Sequence, residues 1–398
     1  MGIDFKKPYV AYVGHMLFPW GQAASRRVFG NAMSLVNRGY QVVVASGSSQ
    51  PERVECCENV EGLFHVGLGG SPMKGDSSWV KACKLLFTAS QRTISWLDSQ
   101  PVKPSHIILY GGYTPYLLRL LPWCRHHNVA LIADLVEWQN ASQLPGGALG
   151  LSSININLAM RFLYPKCDGI ISISSYLSKY YMGRGCRVVQ VPPTLDTSLS
   201  PLPIEGESEH RFLTLVYAGD PGKKDLLQPV IDGIKIADPY SERLRLIVLG
   251  PTEQEVSSIC CNGESVPSFV TVKGRVPQDE VAAILKSADF SVLMRPNMRF
   301  ANAGFPTKFV ESLSNGIPVI ANHTSDLGLY LRDKVEGIVV SDCTAYAFSV
   351  ALKRVLNLSA DELYVMKKSA YLQSRNSFDF RKYSDSIAEL LELAGASS

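Results

Sequence analysis

An α/β protein of two doubly wound domains facing a central cleft is the fold the sequence predicts, on three observations. Short β-branched runs alternate with helical patterns, as parallel strands covered by helices require. The alternation breaks once, where Val188-Val-Gln-Val ends at Pro192-Pro193 and residues 197–210 form a Pro-, Ser- and Glu-rich stretch without periodicity. A second alternating series follows, so the 398 residues suit two domains of ordinary size, each able to bury its own core.

In the first series, residues 9–12 read as a strand, 23–38 as a helix stopped by Asn37-Arg38-Gly39, and 41–45 as the next strand. Strands at 106–109, 130–133 and 169–172 then alternate with helical patterns at 116–127, 155–164 and 175–181. Beyond the break, strands are expected at 213–217, 244–249, 270–272, 290–294, 318–321 and 337–340. Helices are expected between them at 226–236, 279–287 and from 307, and three helical patterns at about 345–356, 360–374 and 378–393 follow the last strand. No repeat of solenoid length occurs.

Composition narrows the class. No apolar run reaches the ~18–20 residues that span a bilayer, and the first residues, Met-Gly-Ile-Asp-Phe-Lys-Lys, lack an apolar signal core. The nine cysteines are scattered without Cys-x-x-Cys or Cys/His spacing, which favours reduced thiols, a cytoplasmic location and no bound metal. Charge is uneven: residues 1–195 carry 18 Lys/Arg against 10 Asp/Glu and the remainder 21 against 26. All five tryptophans, Trp20, Trp79, Trp96, Trp123 and Trp138, lie in the basic half, which suits contact with an anionic membrane surface. Nucleic acid is not among the expected partners. No Gly-x-Gly-x-x-Gly follows a strand, which argues against a dinucleotide oxidoreductase.

The segment 302–321 carries the most chemistry. Pro306 suits a first helical turn, Thr307 to Ser314 continues the helix, Asn315-Gly316 stops it, and Pro318 opens a strand. The free amides of Gly304, Phe305, Thr307 and Lys308 then meet the positive end of the helix dipole. Lys308 is unfavourable there unless an anion sits at the tip. Glu311, one turn further in, is placed to accept hydrogen bonds from a ribose diol; a surface helix with solvated Lys308 and Glu311 is the competing reading. Two other strand ends add cations. In Tyr217-Ala-Gly-Asp-Pro-Gly-Lys-Lys-Asp225, Gly219 exposes backbone beside Lys223 and Lys224, and Arg295 follows the strand at 290–294, where a guanidinium can grip phosphate bidentately. On the other half, the strand ending Ile132-Ala-Asp-Leu-Val-Glu-Trp138 offers Asp134 and Glu137 as a base or acceptor-orienting carboxylate, against a plain capping role. His15, His126 and His127 are weaker candidates.

Taken together, Gly219 to Asp225, Val272-Lys-Gly-Arg-Val-Pro277, Ser287-Ala-Asp-Phe290 and Gly304-Phe-Pro-Thr-Lys-x-x-Glu-x-x-x-x-Gly-x-Pro-Val resemble the donor half of a GT-B glycosyltransferase. The type resembled is retaining family 4, the group 1 glycosyltransferases of bacterial surface polysaccharide synthesis, with two Rossmann-like domains. Gly14 to Arg27, with Pro-Trp-Gly-Gln-Ala-Ala-Ser, resembles the acceptor-side glycine loop. The resemblance implies an acceptor domain at 1–195, with the C-terminal helix 377–398 packing back on it, and a donor domain at 196–376. It implies that Glu311 holds the ribose; Lys223, Lys224 and Arg295 the diphosphate; Gly304, Phe305, Pro306 and Thr307 the phosphate and sugar through backbone. Gly274, Arg275 and Val276 would meet the base, and Gly14, Gly21, Gln22 and Tyr110 would lie on the acceptor side. Two departures stand out. The family carboxylate eight residues before Glu311 is Ala303, for which Asn302 or Asn297 would substitute, and Asp220 stands where many members have Arg.

The expected activity is transfer of a sugar, with retention, from a nucleoside diphosphate sugar to a hydroxyl of a glycan or lipid-diphosphate-linked acceptor, a UDP-sugar being the first choice of donor. No other cofactor is implied. No Asp-x-Asp occurs, so lysine, arginine and helix dipole are expected to neutralise the leaving diphosphate, with Lys224, Arg295, Asp134 and Glu137 as the catalytic candidates. The expected location is cytoplasmic and peripheral on the inner face of the cell membrane. A nucleotide-sugar epimerase or hydrolase of the same fold, or a non-catalytic partner subunit, are the rival readings.

Overall fold

The computed structural model describes residues 8–19, 23–47, 55–57, 60–69, 88–199, 202, 212–222 and 224–396. The chain divides into two compact units, Met1–Leu195 with Phe380–Ser398, and Asp196–Asp379. Most of the stretch read as a linker, 197–210, lies outside the described residues.

Unit 1 runs β1 (Tyr9–Gly14), α1 (Ala23–Val36), β2 (Gln41–Ser46), β3 (Glu55–Cys56), β4 (Leu63–Gly67), α2 (Ala89–Ser99), β5 (His106–Tyr110), α3 (Tyr113–His127), β6 (Ala130–Leu135), α4 (Leu151–Leu158), β7 (Gly169–Ser172), α5 (Ser175–Met182) and β8 (Val188–Gln190). Within the described residues the sheet order is β3-β4-β2-β1-β5-β6-β7-β8, parallel throughout except for the two-residue β3. Every residue of β1, β6 and β7 is buried, as unbroken apolar strands covered on both faces should be. Helix α3 begins three residues before the sequence expectation and stops at Asn128, whose φ of 55° ends the turn left-handed. The helix expected at 155–164 starts earlier, at Leu151, and passes at Ala159–Leu163 into a wider π-helical turn.

Unit 2 runs β9 (Leu213–Ala218), α6 (Gln228–Ala237), β10 (Leu244–Leu249), α7 (Glu253–Cys260), β11 (Val270–Gly274), α8 (Gln278–Lys286), β12 (Phe290–Leu293), α9 (Arg299–Ala303), α10 (Thr307–Ser314), β13 (Val319–Asn322), β14 (Gly337–Val340), α11 (Ala345–Val355) and α12 (Ala360–Phe378). Its parallel sheet has the order β11-β10-β9-β12-β13-β14. Helix starts are written in the sequence. Thr252 with Glu255 and Ser359 with Glu362 form capping boxes on α7 and α12, and Thr344 caps α11. Helix α10 differs: it starts after Pro306 with no side-chain cap and no acidic residue in its first turn.

After α12 the chain returns to unit 1 through a 3-10 turn at Phe380–Tyr383 and ends in α13 (Ser384–Gly395). Ile387, Leu390 and Leu391 join Val10, Val44 and Ile132 in the core of the first sheet, each buried leucine contributing about 2–3 kcal/mol. Gly169 allows the close approach, since a Cβ there would stand 3.1 Å from Leu390 Cδ1. Among the described residues no helix is long and apolar enough to cross a membrane.

Candidate functional site

In unit 2 the strand order reverses between β9 and β12, and open parallel sheets leave room for a ligand beyond the carboxyl ends of strands at such a point. The backbone there is built from glycine. Gly219, just after β9, has φ of +141° and donates its N–H to Leu249 O; Gly250, after β10, donates to Gly274 O at the end of β11. A Cβ on Gly250 would stand 2.8 Å from Gly219 O, so the turns fit only because both are glycines. Leu226 N bonds Met294 O at 2.8 Å, joining the loop after β9 to the end of β12.

One carboxylate organises the cations at this edge. Asp225 Oδ2 accepts from Lys308 Nζ at 2.7 Å, and Oδ1 stands 3.2 Å from Arg295 Nε. Burial pushes the Asp225 carboxyl up, but the positive charges of Lys308 and Arg295 outweigh it and hold it below its ordinary value. Lys224 adds to the same pull. Lys308 also lies 5.3 Å from the Tyr217 ring centroid, and Tyr217 donates its hydroxyl to Asp225 O.

Arg295 is buried beside this carboxylate with part of its guanidinium unpaired. Its side chain is 1% exposed, its Nε stands 3.2 Å from Asp225 Oδ1, and its Nη1 is buried with no partner among the described residues. Burial lowers its pKa against the opposing pull of Asp225. The backbone is clamped: Arg295 N donates to Asn322 Oδ1 at 2.9 Å and Arg295 O accepts from Asn322 Nδ2 at 2.7 Å. A buried guanidinium held rigid and short of acceptors has the chemistry to take an anion with several oxygens.

The loop into α10 corrects several expectations. Lys308 is not a cation left open at the helix tip but half of an ion pair with Asp225. Asn302 is committed within the loop, since its Nδ2 donates to Asn297 Oδ1 at 2.7 Å and its Oδ1 accepts from Ser325 N at 2.8 Å. It sits in the short α9, and Ala303 beside it is fully buried. Phe305 packs its ring on Phe309, Tyr330 and Phe378, which leaves only its backbone for a ligand. Gly304 O accepts from Ser325 Oγ at 2.5 Å and Pro306 precedes the first turn, so that Thr307 and Lys308 present amides no side chain caps. Glu311 is half-buried on the next turn. Gly274, with φ of +67°, turns the chain out of β11, placing exposed Arg275 and half-buried Val276 at the same edge. Lys223 lies outside the described residues.

In unit 1 the reversal falls between β1 and β5, where Gly14 pairs with Tyr110. A Cβ on Gly14 would stand 2.4 Å from Tyr110 O. Burial raises the Tyr110 hydroxyl well above its ordinary pKa, with Asp134 and Glu137 adding to the rise. Asp134 itself is not available as a base. It is fully buried and holds Arg27 Nη2 at 2.8 Å, the Tyr12 hydroxyl at 2.6 Å and Asn31 Nδ2 at 3.2 Å. Arg27 in turn donates to Val191 O and Pro192 O, so the pair fixes the end of the unit. A strand-end carboxylate facing a buried arginine is a structural anion. Glu137, half-buried and accepting from Gln139 Nε2 at 2.9 Å, is the carboxylate that remains at this edge. Gly21 and Gln22 lie outside the described residues. Asp225, Arg27, Tyr12 and Asn31 carry these networks and had no local signal beyond an Asp beside two lysines and an Arg in a helix.

The architecture has close parallels. Sucrose-phosphate synthase from Thermosynechococcus elongatus superposes with a TM-score of 0.72 at 14% identity, covering 98% of this chain and 100% of that one. The chain has the GT-B glycosyltransferase fold. HepE of Anabaena, solved with UDP and glucose, shares it with a TM-score of 0.66 at 13% identity, covering 97% and 100% of the two chains. The trehalose-6-phosphate structure from E. coli bound with UDP-2-fluoro glucose does so with a TM-score of 0.66 at 9% identity, covering 96% and 99%. Residues 214–357, which lie within unit 2, match the family model "Glycosyl transferases group 1". No curated protein matches the sequence.

Proposed function

We propose that this chain is a retaining glycosyltransferase that takes a sugar from a nucleoside diphosphate sugar, a UDP-sugar first among them, and transfers it to a hydroxyl of a glycan or lipid-diphosphate-linked acceptor. The observation that carries the reading is the buried Arg295 Nη1, without a partner among the described residues, beside the Asp225–Lys308 pair and the uncapped start of α10. Breaking the bond between the anomeric carbon and the phosphate oxygen leaves negative charge on the diphosphate. Arg295, Lys308, Lys224 and the amides of Thr307 and Lys308 are the groups that stabilise it without reorganising. Glu311 holds the ribose, the turn Gly274-Arg275-Val276 faces the base, and Glu137 with Tyr110 orients the acceptor hydroxyl. Because HepE was solved with UDP and glucose, that donor class is the first to try.

The acceptor side belongs to the basic unit, which suits work on polysaccharide precursors at the cytoplasmic face of an anionic membrane. Calorimetric titration with UDP tests the donor site. Micromolar binding lost in Lys224→Ala and Glu311→Ala supports it; failure of every common nucleoside diphosphate to bind overturns it.

A further inference from the structure

A helix on the surface of a globular unit ordinarily turns its apolar stripe inward and its polar face to water. Helix α4 with its π-helical continuation is apolar on both. Ser153, Ile156, Ala159, Met160 and Leu163 face the core. On the opposite face Leu151, Ile154, Leu158 and Phe162 recur three to four residues apart and are 79%, 52%, 39% and 61% exposed, with Leu149, 89% exposed, just before them. Four or five large apolar side chains in one row form a contiguous patch and not the scatter of single residues common on surfaces.

The charge balance of this part of the chain argues for its partner. From residue 137 to 195 it carries Arg161, Lys166, Lys179, Arg184 and Arg187 against two carboxylates, Glu137, which accepts from Gln139 Nε2, and Asp168, whose Oδ2 is engaged by Leu131 N at 2.8 Å. Arg161 lies within the exposed row, between Leu158 and Phe162, its guanidinium 5.8 Å from the Trp138 ring centroid. Trp138 meets Tyr180 at 4.7 Å, and Arg184 stacks 3.6 Å over Tyr180. An exposed apolar ridge carrying Arg161, with Arg184 and half-buried Tyr180 linked to it through the buried Trp138, fits the headgroup boundary of an anionic bilayer, where the ridge enters the acyl edge and the cations meet lipid phosphate. A second copy fits poorly. Two-fold pairing of this face would set Arg161 against its own counterpart, with no carboxylate between residues 138 and 167 to offset it.

We infer that the exposed face of α4 and its π-helical extension is a membrane-docking surface for anionic lipid. This deepens the membrane part of the proposed function and is independent of the donor site. The test is co-sedimentation of the full chain with vesicles of phosphatidylcholine alone and of an equal mixture with phosphatidylglycerol. Binding to the mixed vesicles is expected, weakened by salt because of the cations. The triple variant Leu151→Asn, Ile154→Asn, Phe162→Asn should lose at least about tenfold in vesicle affinity, since the apolar ridge supplies the insertion. The pair Arg161→Gln, Arg184→Gln should lose the preference for anionic vesicles. Unaltered melting and unaltered UDP titration in both variants exclude misfolding. Equal vesicle binding by the triple variant overturns the inference. So does no vesicle binding by the natural chain, or a dimer in sedimentation velocity that the triple variant disperses. A chain that binds UDP but no vesicle sinks this inference alone, and one that binds vesicles but no nucleoside diphosphate sinks the donor reading alone.

Discussion

Lys308 Nζ stands 2.7 Å from Asp225 Oδ2, and the same carboxylate holds Arg295 from its other oxygen. Asp225 is thus the internal counter-ion for two cations that would otherwise lie close together with nothing to neutralise them.

Removing that counter-ion should be costly and pH-dependent. Asp225→Ala leaves the buried Arg295 uncompensated, at about 3–5 kcal/mol. The folded-state pKa of Asp225 is depressed below 3.8, so the folded state binds protons more weakly than the unfolded chain. Its contribution is complete above the unfolded value and is lost as pH falls through the lower folded one. Urea unfolding of the natural chain and the variant should show a constant gap near neutral pH that narrows below about pH 4.

Arg295→Met separates ligand binding from structure. An apolar side chain of similar reach fills the volume and removes a buried, half-satisfied charge, so the melting temperature should move little. UDP affinity should fall by about ten- to a hundredfold, the worth of a hydrogen bond to a charged group. Calorimetry beside a thermal melt reads both.

Gly219→Ala tests the glycine turn. The new Cβ would stand 2.0 Å from Lys308 Nζ at a backbone φ of +141°. Lys308 must leave Asp225 or the turn must open, so stability should drop by about 1–3 kcal/mol, with UDP binding weakened in the same variant.

The two unit 1 carboxylates should part company. Asp134→Ala strands Arg27 in the core and should destabilise the fold by about 3–5 kcal/mol whatever substrate is present. Glu137→Gln should leave the melting curve unchanged while lowering transfer to acceptor at least about tenfold, read by product formation at saturating donor.

Elements made of one residue type at one period were legible in the sequence. Val42-Val43-Val44 and Gly169-Ile-Ile-Ser172 read as strands, and Asn315-Gly316 read as the stop that Gly316, at φ of 70°, provides. Helix α9 was not, because five residues make little more than one turn and carry no period. Pairings across long separations were also out of reach. Asp134 reads the same at a strand end whether it faces water or Arg27, 107 residues earlier, and Lys308 reads as a free cation until Asp225, 83 residues before it, is placed alongside. The loops after Ala218, Leu293 and Ala303 were legible as one chemical neighbourhood because parallel topology puts strand ends on one edge. Which of their charges would neutralise each other was not.

Helix α13 gives the chain an unusual order of maturation. Ile387, Leu390 and Leu391 complete a core whose other members include Val10 and Val44, so those early strands emerge from the ribosome long before the residues that seal them. Everything between Asp196 and Asp379 is synthesised in the interval and has its own core to condense. The earliest-made unit is therefore the last to finish, and until α13 arrives its nascent sheet offers apolar surface that a chaperone would have to shelter.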